Sequence, residues 1–323
     1  MQAVLVEGDG IGPEVTRAAR RVIEACGVPV SWEVHQAGAD ALARTGELVP
    51  RETLEAMRRV RFALKGPFRT PSGGTQRSAN WILRRELDLY ACLRPIRRRS
   101  RGIDFLIVRE NVEDLYAAIE WMAAPGVAHA VKVATHDGCT RIARWAFALA
   151  RARGRRRVTI VHKANNLKLT DGMFLDVARA VGAEYPDLVC DDMLADTAAA
   201  AIVGAPKTLD VMLMPNTFGD ILSSAGAPLA GGIGVVPAMN AGGGLAVAEA
   251  LHGSADDLAG TGRANPLGMI GAAAMLLAAA GYPREAAAID SAIERAIDDP
   301  PAAATETITE WIVESVGAQL VAA

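Results

Sequence analysis

Between Ser78 and Tyr116 the chain gathers side chains that suit a small, multiply charged anion. Ser78, Asn80 and Arg84 sit at i, i+2 and i+6, and Arg94, Arg109 and Tyr116 follow. A guanidinium grips a carboxylate through two parallel hydrogen bonds, which an ammonium cannot do. A phenol beside that grip can donate a proton where charge develops during a reaction. Taken alone, any one of these arginines reads more readily as a solvated surface side chain. Further on, the run VTIVH delivers Lys163 and Asn165. A lysine closing a buried strand is expected to be desolvated, which lowers its pKa toward proton-transfer values; a surface-loop lysine is the alternative. Asp191, Asp192 and Asp196 come next, then Asp220, expected at a helix start where a carboxylate suits the dipole and can meet a divalent cation. Ser224 lies one turn beyond it on the same face.

The elements that must hold these groups alternate between strand and helix, which argues for α/β layers. A β-prone run over residues 2–6 turns through GDGIGPE into a helix whose first turn accommodates Pro13 and whose stripe is Val15, Ala18, Val22, Ile23 and Cys26. Gly8, Gly10 and Gly12 do not make a dinucleotide fingerprint. The spacing is not GxGxxG, Asp9 would repel a pyrophosphate, and no acidic residue follows the next strand at the needed offset. Strands are predicted over 31–36, 61–65 and 209–215, and helices over 51–59, 140–153 and 171–182. The 140–153 helix should bury Ile142, Trp145, Ala146 and Leu149, with Gly154 ending it. The arginines at 151, 153, 155, 156 and 157 read as a solvated helix end, since no aromatic residues are interleaved to stack bases. Residues 269–280 are nearly all apolar and predict a helix buried on most sides.

With 323 residues, half of them hydrophobic, there is material for a large core in one or two domains. A net charge of −3 gives no global reason to expect nucleic acid or an anionic membrane. Four scattered cysteines without a CxxC favour a reducing compartment. The immediate strand-like start leaves no room for a signal peptide, and no apolar run approaches the roughly 18 residues of a membrane span. A cytoplasmic protein is the expectation.

Thr70, Ser78, Asn80, Arg84, Arg94, Arg109, Tyr116, Lys163, Asn165, Asp196, Asp220, His252-Gly253 and Asn265-Pro266 together resemble the NAD(P)-dependent isocitrate dehydrogenases of the β-decarboxylating dehydrogenase family. The likeness runs from GDGIGPE to the last helices. It implies an isocitrate/isopropylmalate dehydrogenase-like two-domain α/β sandwich, not a Rossmann fold, with a large cofactor-side domain over 1–89 and 231–323. A small domain over 90–230 would carry the dimer interface and the metal site. The resemblance assigns substrate carboxylates to Ser78, Asn80, Arg84, Arg94, Arg109 and Asn165. It makes Tyr116 and Lys163 the acid–base pair, and assigns Mg²⁺ or Mn²⁺ to Asp196, Asp220 and Ser224. Ser224 stands where relatives have a second aspartate. The cofactor would contact Thr70, Glu249, His252, Gly253, Asp257 and Asn265. Asp257 takes the place of a lysine of NADP-dependent relatives, which points to NAD. The implied activity is oxidative decarboxylation of an isocitrate-type 2-hydroxy acid by a homodimer with shared active sites, Lys163 and one aspartate coming from the neighbouring subunit. Homoisocitrate, isopropylmalate or a phosphonomethylmalate remain alternative substrates, and a non-catalytic regulatory subunit is the alternative of another class.

Overall fold

The computed structural model describes residues 1–69 and 77–322, so Thr70 lies outside the described residues. The chain divides into two compact units, Met1–Asp88 with Ala230–Ala323 and Leu89–Leu229.

The first unit opens with β1 (Gln2–Val6), α1 (Gly12–Ala25), β2 (Ser31–His35), α2 (Ala39–Thr45), α3 (Arg51–Val60), β3 (Phe62–Lys65) and α4 (Ala79–Glu86). The second unit contains β4 (Ala91–Arg98), β5 (Ile103–Glu110), β6 (Asp114–Ala124), β7 (Val127–Val133), α5 (His136–Ala152), β8 (Arg157–His162), α6 (Thr170–Gly182), β9 (Val189–Leu194), α7 (Ala195–Gly204), β10 (Val211–Met214) and α8 (Asn216–Ala230). The chain then completes the first unit with β11 (Pro237–Gly242), β12 (Leu245–Ala250), α9 (Leu267–Ala279), α10 (Pro283–Asp298) and α11 (Thr305–Ala322).

In the first unit the strands run β2-β1-β3-β12-β11; the β11–β12 hairpin is antiparallel and the other pairings are parallel. Helix α9 packs on β11 and β12 and against α1 and α10. Every residue from Leu267 to Leu277 is buried, as expected of an apolar run too uniform to have a wet face. In the second unit the order is β4-β5-β10-β8-β9, again with one antiparallel hairpin, β4–β5, and parallel pairing elsewhere. Parallel strands covered by helices read as continuous apolar runs, and Val211–Met214 is buried throughout.

Two local expectations need correction, and one element was not expected. Helix α5 starts at His136, and its buried stripe is Cys139, Ile142, Ala143, Ala146, Phe147 and Ala150, leaving Trp145 and Leu149 half-buried on its flank. The arginine run after α5 is not simply solvated. Arg155 is largely buried and pairs with Asp104 at 2.6 Å and Asp210 at 3.2 Å, tying the approach to β8 to β5 and to the residue before β10. The β6–β7 hairpin, a separate two-stranded arm, has no counterpart in the predicted elements. It leaves Leu115, Ile119, Trp121, Met122 and Val127 exposed, so no one-sided burial pattern announces it. Its turn is nonetheless marked by Pro125-Gly126, with Gly126 at φ 76°.

Candidate active site

In the second unit the antiparallel pairing of β4 with β5 sets Cys92 opposite Arg109 and Arg94 opposite Ile107. Arg94 and Arg109 are therefore diagonal neighbours on one face. Both are buried, and Arg109 is wholly so. Such burial is tolerable only with partners. Arg109 donates through Nε and Nη2 to Asn216 Oδ1 at 3.0 and 2.6 Å, and through Nη1 to Asp220 Oδ1 at 2.5 Å. Arg94 reaches the same Asp220 oxygen at 3.0 Å and Ser223 Oγ at 2.6 Å. The Tyr116 hydroxyl donates to the other Asp220 oxygen at 2.6 Å, and its ring lies 5.1 Å from the Arg109 guanidinium. Burial opposes the charge on Asp220, but the fields of Arg109 and Arg94 and the Tyr116 hydrogen bond outweigh it and hold the carboxyl well below the usual range.

Asp220 is not at the start of its helix as expected. It is the fifth residue of α8, and Asn216 occupies the first turn. Gly219 allows the close approach, because a Cβ there would stand 2.5 Å from Arg109 Cγ. Ser224 is exposed, whereas Ser223 is buried against Arg94. Sequence reasoning missed Asn216, Gly219 and Ser223, although each lies within the NTFGDILSS run that supplied Asp220.

Lys163 follows β8 and pairs with Asp196 at 2.7 Å, in the first turn of α7. That hydrogen bond holds the exposed Asp196 carboxyl below its ordinary value. The expected desolvation of Lys163 is not found, since 28% of its side chain is exposed. Asn165 is exposed on the same loop. Asp191 accepts from Thr159, and Asp192 accepts from Arg179 and faces His162, so these two serve other contacts. Among the described residues, no three of His, Cys, Asp and Glu converge into a metal cage.

The first unit assembles a second polar cluster. Ser78 caps α4, its Oγ accepting from the Trp81 N–H at 3.2 Å. One turn apart on that helix, Asn80 and Arg84 face a buried pair that the sequence reading did not foresee. Lys65, 2% exposed at the end of β3, contacts Glu249 at 2.6 Å and donates to Asn80 Oδ1 at 3.0 Å. Asn240 donates to Glu249 at 2.6 Å, and Arg84 lies 3.6 Å from it. Burial pushes the Lys65 ammonium down while Glu249 pulls it back up. Burial likewise opposes the Glu249 charge, but Lys65 and Arg84 bring that carboxyl down to about 2, and the close contact is that of an ion pair. A lysine closing FALK reads as a strand end at the surface, and nothing in the local pattern announces its burial.

Nearby loops are knitted by Asp9. Its carboxylate accepts from the backbone N–H of Ala39 at 2.9 and 3.1 Å and of Arg69 at 2.8 Å. Gly8 holds φ 76° where a Cβ would strike Pro67 O at 2.2 Å, which accounts for glycine there without a pyrophosphate. Arg69 clasps Asp256 bidentately, both bonds 2.8 Å. Asp257 is exposed, with no hydrogen bond among the described residues. His252 is buried, which lowers its pKa. Its Nδ1 faces Gly253 O at 2.9 Å, and its Nε2 has no hydrogen-bond partner among the described residues. Gly253 is exposed, and Asn265 accepts from the Leu267 N–H at the start of α9.

One buried acid has a measurable consequence. Burial pushes Glu110 up to about 7 from an ordinary 4.5, against the backbone N–H groups of Val112 and Glu113 that it accepts. A carboxyl raised in the folded state favours folding while it is protonated. That contribution is complete below pH 4.5 and is lost as pH rises to 7, on the order of 3 kcal/mol. Thermal melts across this window should show wild type losing stability relative to Glu110→Gln as pH rises. A constant difference between the two proteins would refute the shift.

The model of the isocitrate/isopropylmalate dehydrogenase family matches residues 2–316. The catalytic subunit 5 of an NAD-dependent mitochondrial isocitrate dehydrogenase from Arabidopsis thaliana is 40% identical over 298 residues, 90% of this chain and 80% of the relative. A 3-isopropylmalate dehydrogenase from Archaeoglobus fulgidus is also 40% identical, over 302 residues, covering 92% and 91%. Relatives include NAD- and NADP-dependent enzymes. The crystal structure of isocitrate dehydrogenase from Methylococcus capsulatus superposes with a TM-score of 0.93 at 41% identity, covering 98% of this chain and 99% of that one.

Proposed function

Because the chain belongs to the isocitrate/isopropylmalate dehydrogenase family, whose members are decarboxylating oxidoreductases, we propose that it oxidatively decarboxylates an isocitrate-type 2-hydroxy acid with NAD and Mg²⁺ or Mn²⁺. The observation that carries the reading is the convergence of Arg94, Arg109 and Tyr116 on Asp220. It sets two buried cations and a phenolic proton around one ionised carboxylate.

In this reading Arg94 and Arg109 hold substrate carboxylates, and Ser78 and Asn80 take the further carboxylate that distinguishes isocitrate. Ser78 Oγ spends a lone pair on the Trp81 N–H, which leaves its O–H proton to donate. Lys163 accepts the proton of the substrate hydroxyl, and Tyr116 returns a proton to the carbon that loses CO₂. Asp220 fits a hard divalent cation, being ionised and about a third exposed, with Ser224 exposed one turn on. With no cage among the described residues, substrate oxygens and Asp196 of a second subunit would complete the coordination. His252, whose buried Nε2 has no hydrogen-bond partner among the described residues, and the exposed Gly253 and Asp257 fit a nucleotide's edge and ribose. When bound, the cation supplies Lewis-acid polarisation and NAD supplies the hydride acceptor.

Isopropylmalate is the second reading, favoured by the relative at equal identity. A panel of 2-hydroxy acids, followed by NADH absorbance with each metal, separates the two. Ser78→Ala should raise the KM for isocitrate. Ser78→Asp should raise it further, since aspartate keeps the helix cap but sets a negative charge against the substrate. An unchanged KM in Ser78→Asp would reject isocitrate.

A further inference from the structure

The arm, the loop after β8 and helix α8 are joined by three charged side chains to which the activity above gives no role. Asp171, at the start of α6, is fully buried, and its Oδ2 accepts the backbone N–H of Lys163 at 2.7 Å. Its Oδ1 makes no hydrogen bond among the described residues but lies 3.2 Å from the Lys132 ammonium in an ion pair. Lys132 stands on β7 and donates to Asp114 Oδ1 at 2.7 Å. Asp114 is also buried, and its two oxygens accept the backbone N–H groups of Leu115 at 2.8 Å and Thr217 at 2.9 Å. Asp114 adopts φ 65°, a left-handed conformation that aspartate tolerates better than most side chains. The Lys132 ammonium also lies 5.2 Å from the Phe218 ring on α8.

The three held N–H groups are not scattered. They belong to Lys163 itself, to the residue before Tyr116, and to a residue three before Asp220. We propose that Asp171, Lys132 and Asp114 form one positioning unit that fixes the backbones carrying Lys163, Tyr116 and Asp220; this rests on the proton-transfer roles proposed for the first two. The unit touches neither substrate nor cofactor and acts by fixing where the acid and the base begin. A lysine between two buried carboxylates compensates both charges at once, and each carboxylate can then spend an oxygen on a backbone donor. Because a misplacement of about 1 Å can cost roughly a hundredfold in rate, loosening the Lys163 backbone should appear in turnover more than in binding.

The test uses the assembled enzyme with the hydroxy acid that turns over best. Asp171→Ala removes the acceptor and should lower kcat about tenfold or more, with KM values for hydroxy acid and NAD within about twofold of wild type. Asp171→Asn keeps an oxygen for the Lys163 N–H and should recover part of that loss, which a general loss of stability would not produce. Lys163→Met serves as the control. If it abolishes turnover while a folded Asp171→Ala keeps full kcat, the positioning role is wrong and the role of Lys163 stands. If Lys163→Met keeps full turnover, both are wrong. Should Asp171→Ala fail to fold, hydrogen exchange at the Lys163 amide decides in the wild-type protein. Strong protection supports the tether, and exchange as fast as at Asn165 in the same loop overturns it.

Discussion

Co-expressing Lys163→Met chains with Tyr116→Phe chains should return about a quarter of wild-type turnover, although neither variant alone is active. Random pairing makes about half of the dimers mixed, and a mixed dimer with shared sites has one site bearing neither substitution. Within the chain, Tyr116 is committed to Asp220 while Lys163 is committed to Asp196. A site that needs both an acid and a base is then expected to draw one from each of two copies. The exposed apolar side chains of the arm, with Leu169 on the Lys163 loop and Ile221 on α8, supply surface for a second copy to cover. No activity at any mixing ratio, with mixed dimers demonstrated by differential tagging, would mean that each chain completes its own site.

A preference for NAD over NADP of at least about a hundredfold in kcat/KM is expected, which requires about 2.7 kcal/mol. Asp256 and Asp257 adjoin in sequence but differ in commitment. Asp256 is clasped by Arg69, whereas Asp257 is exposed and, among the described residues, has no hydrogen bond. An uncommitted carboxylate can accept from ribose hydroxyls, and it meets a 2′-phosphate with like charge. A lost hydrogen bond and a repulsion of about 1.4 kcal/mol each reach the required size. Asp257→Lys should move the ratio toward NADP by a similar factor. Equal kcat/KM for the two cofactors in the wild-type protein would refute the assignment.

The parts that were legible in sequence are those whose pattern is local. The uniform apolar run of α9, the strand–helix alternation and the family-like spacing of Arg94, Arg109 and Tyr116 follow from residue order alone. The arm was not legible, because a hairpin with both faces exposed leaves no alternation between buried and wet residues. The burial of Lys65 was not legible either, since its partner Glu249 is supplied by β12, distant in sequence. Asp171 opens the predicted 171–182 helix, and only the fold brings the Lys163 N–H and Lys132 onto it.

The Lys65–Glu249 pair also constrains how the first unit can assemble. The two residues are aligned neighbours in the parallel pairing of β3 with β12. A slip of one residue would turn one member to the opposite face, and a slip of two would part them by about 6.6 Å along the strand. Either leaves a lysine and a glutamate in the interior without each other, a penalty of several kcal/mol per ion. Apolar residues such as Leu64 and Val247 could pack tolerably in shifted alignments, but this pair cannot. Two strands separated by most of the chain thus accept one alignment, and the charge that looks costly in the core is what makes that alignment unique.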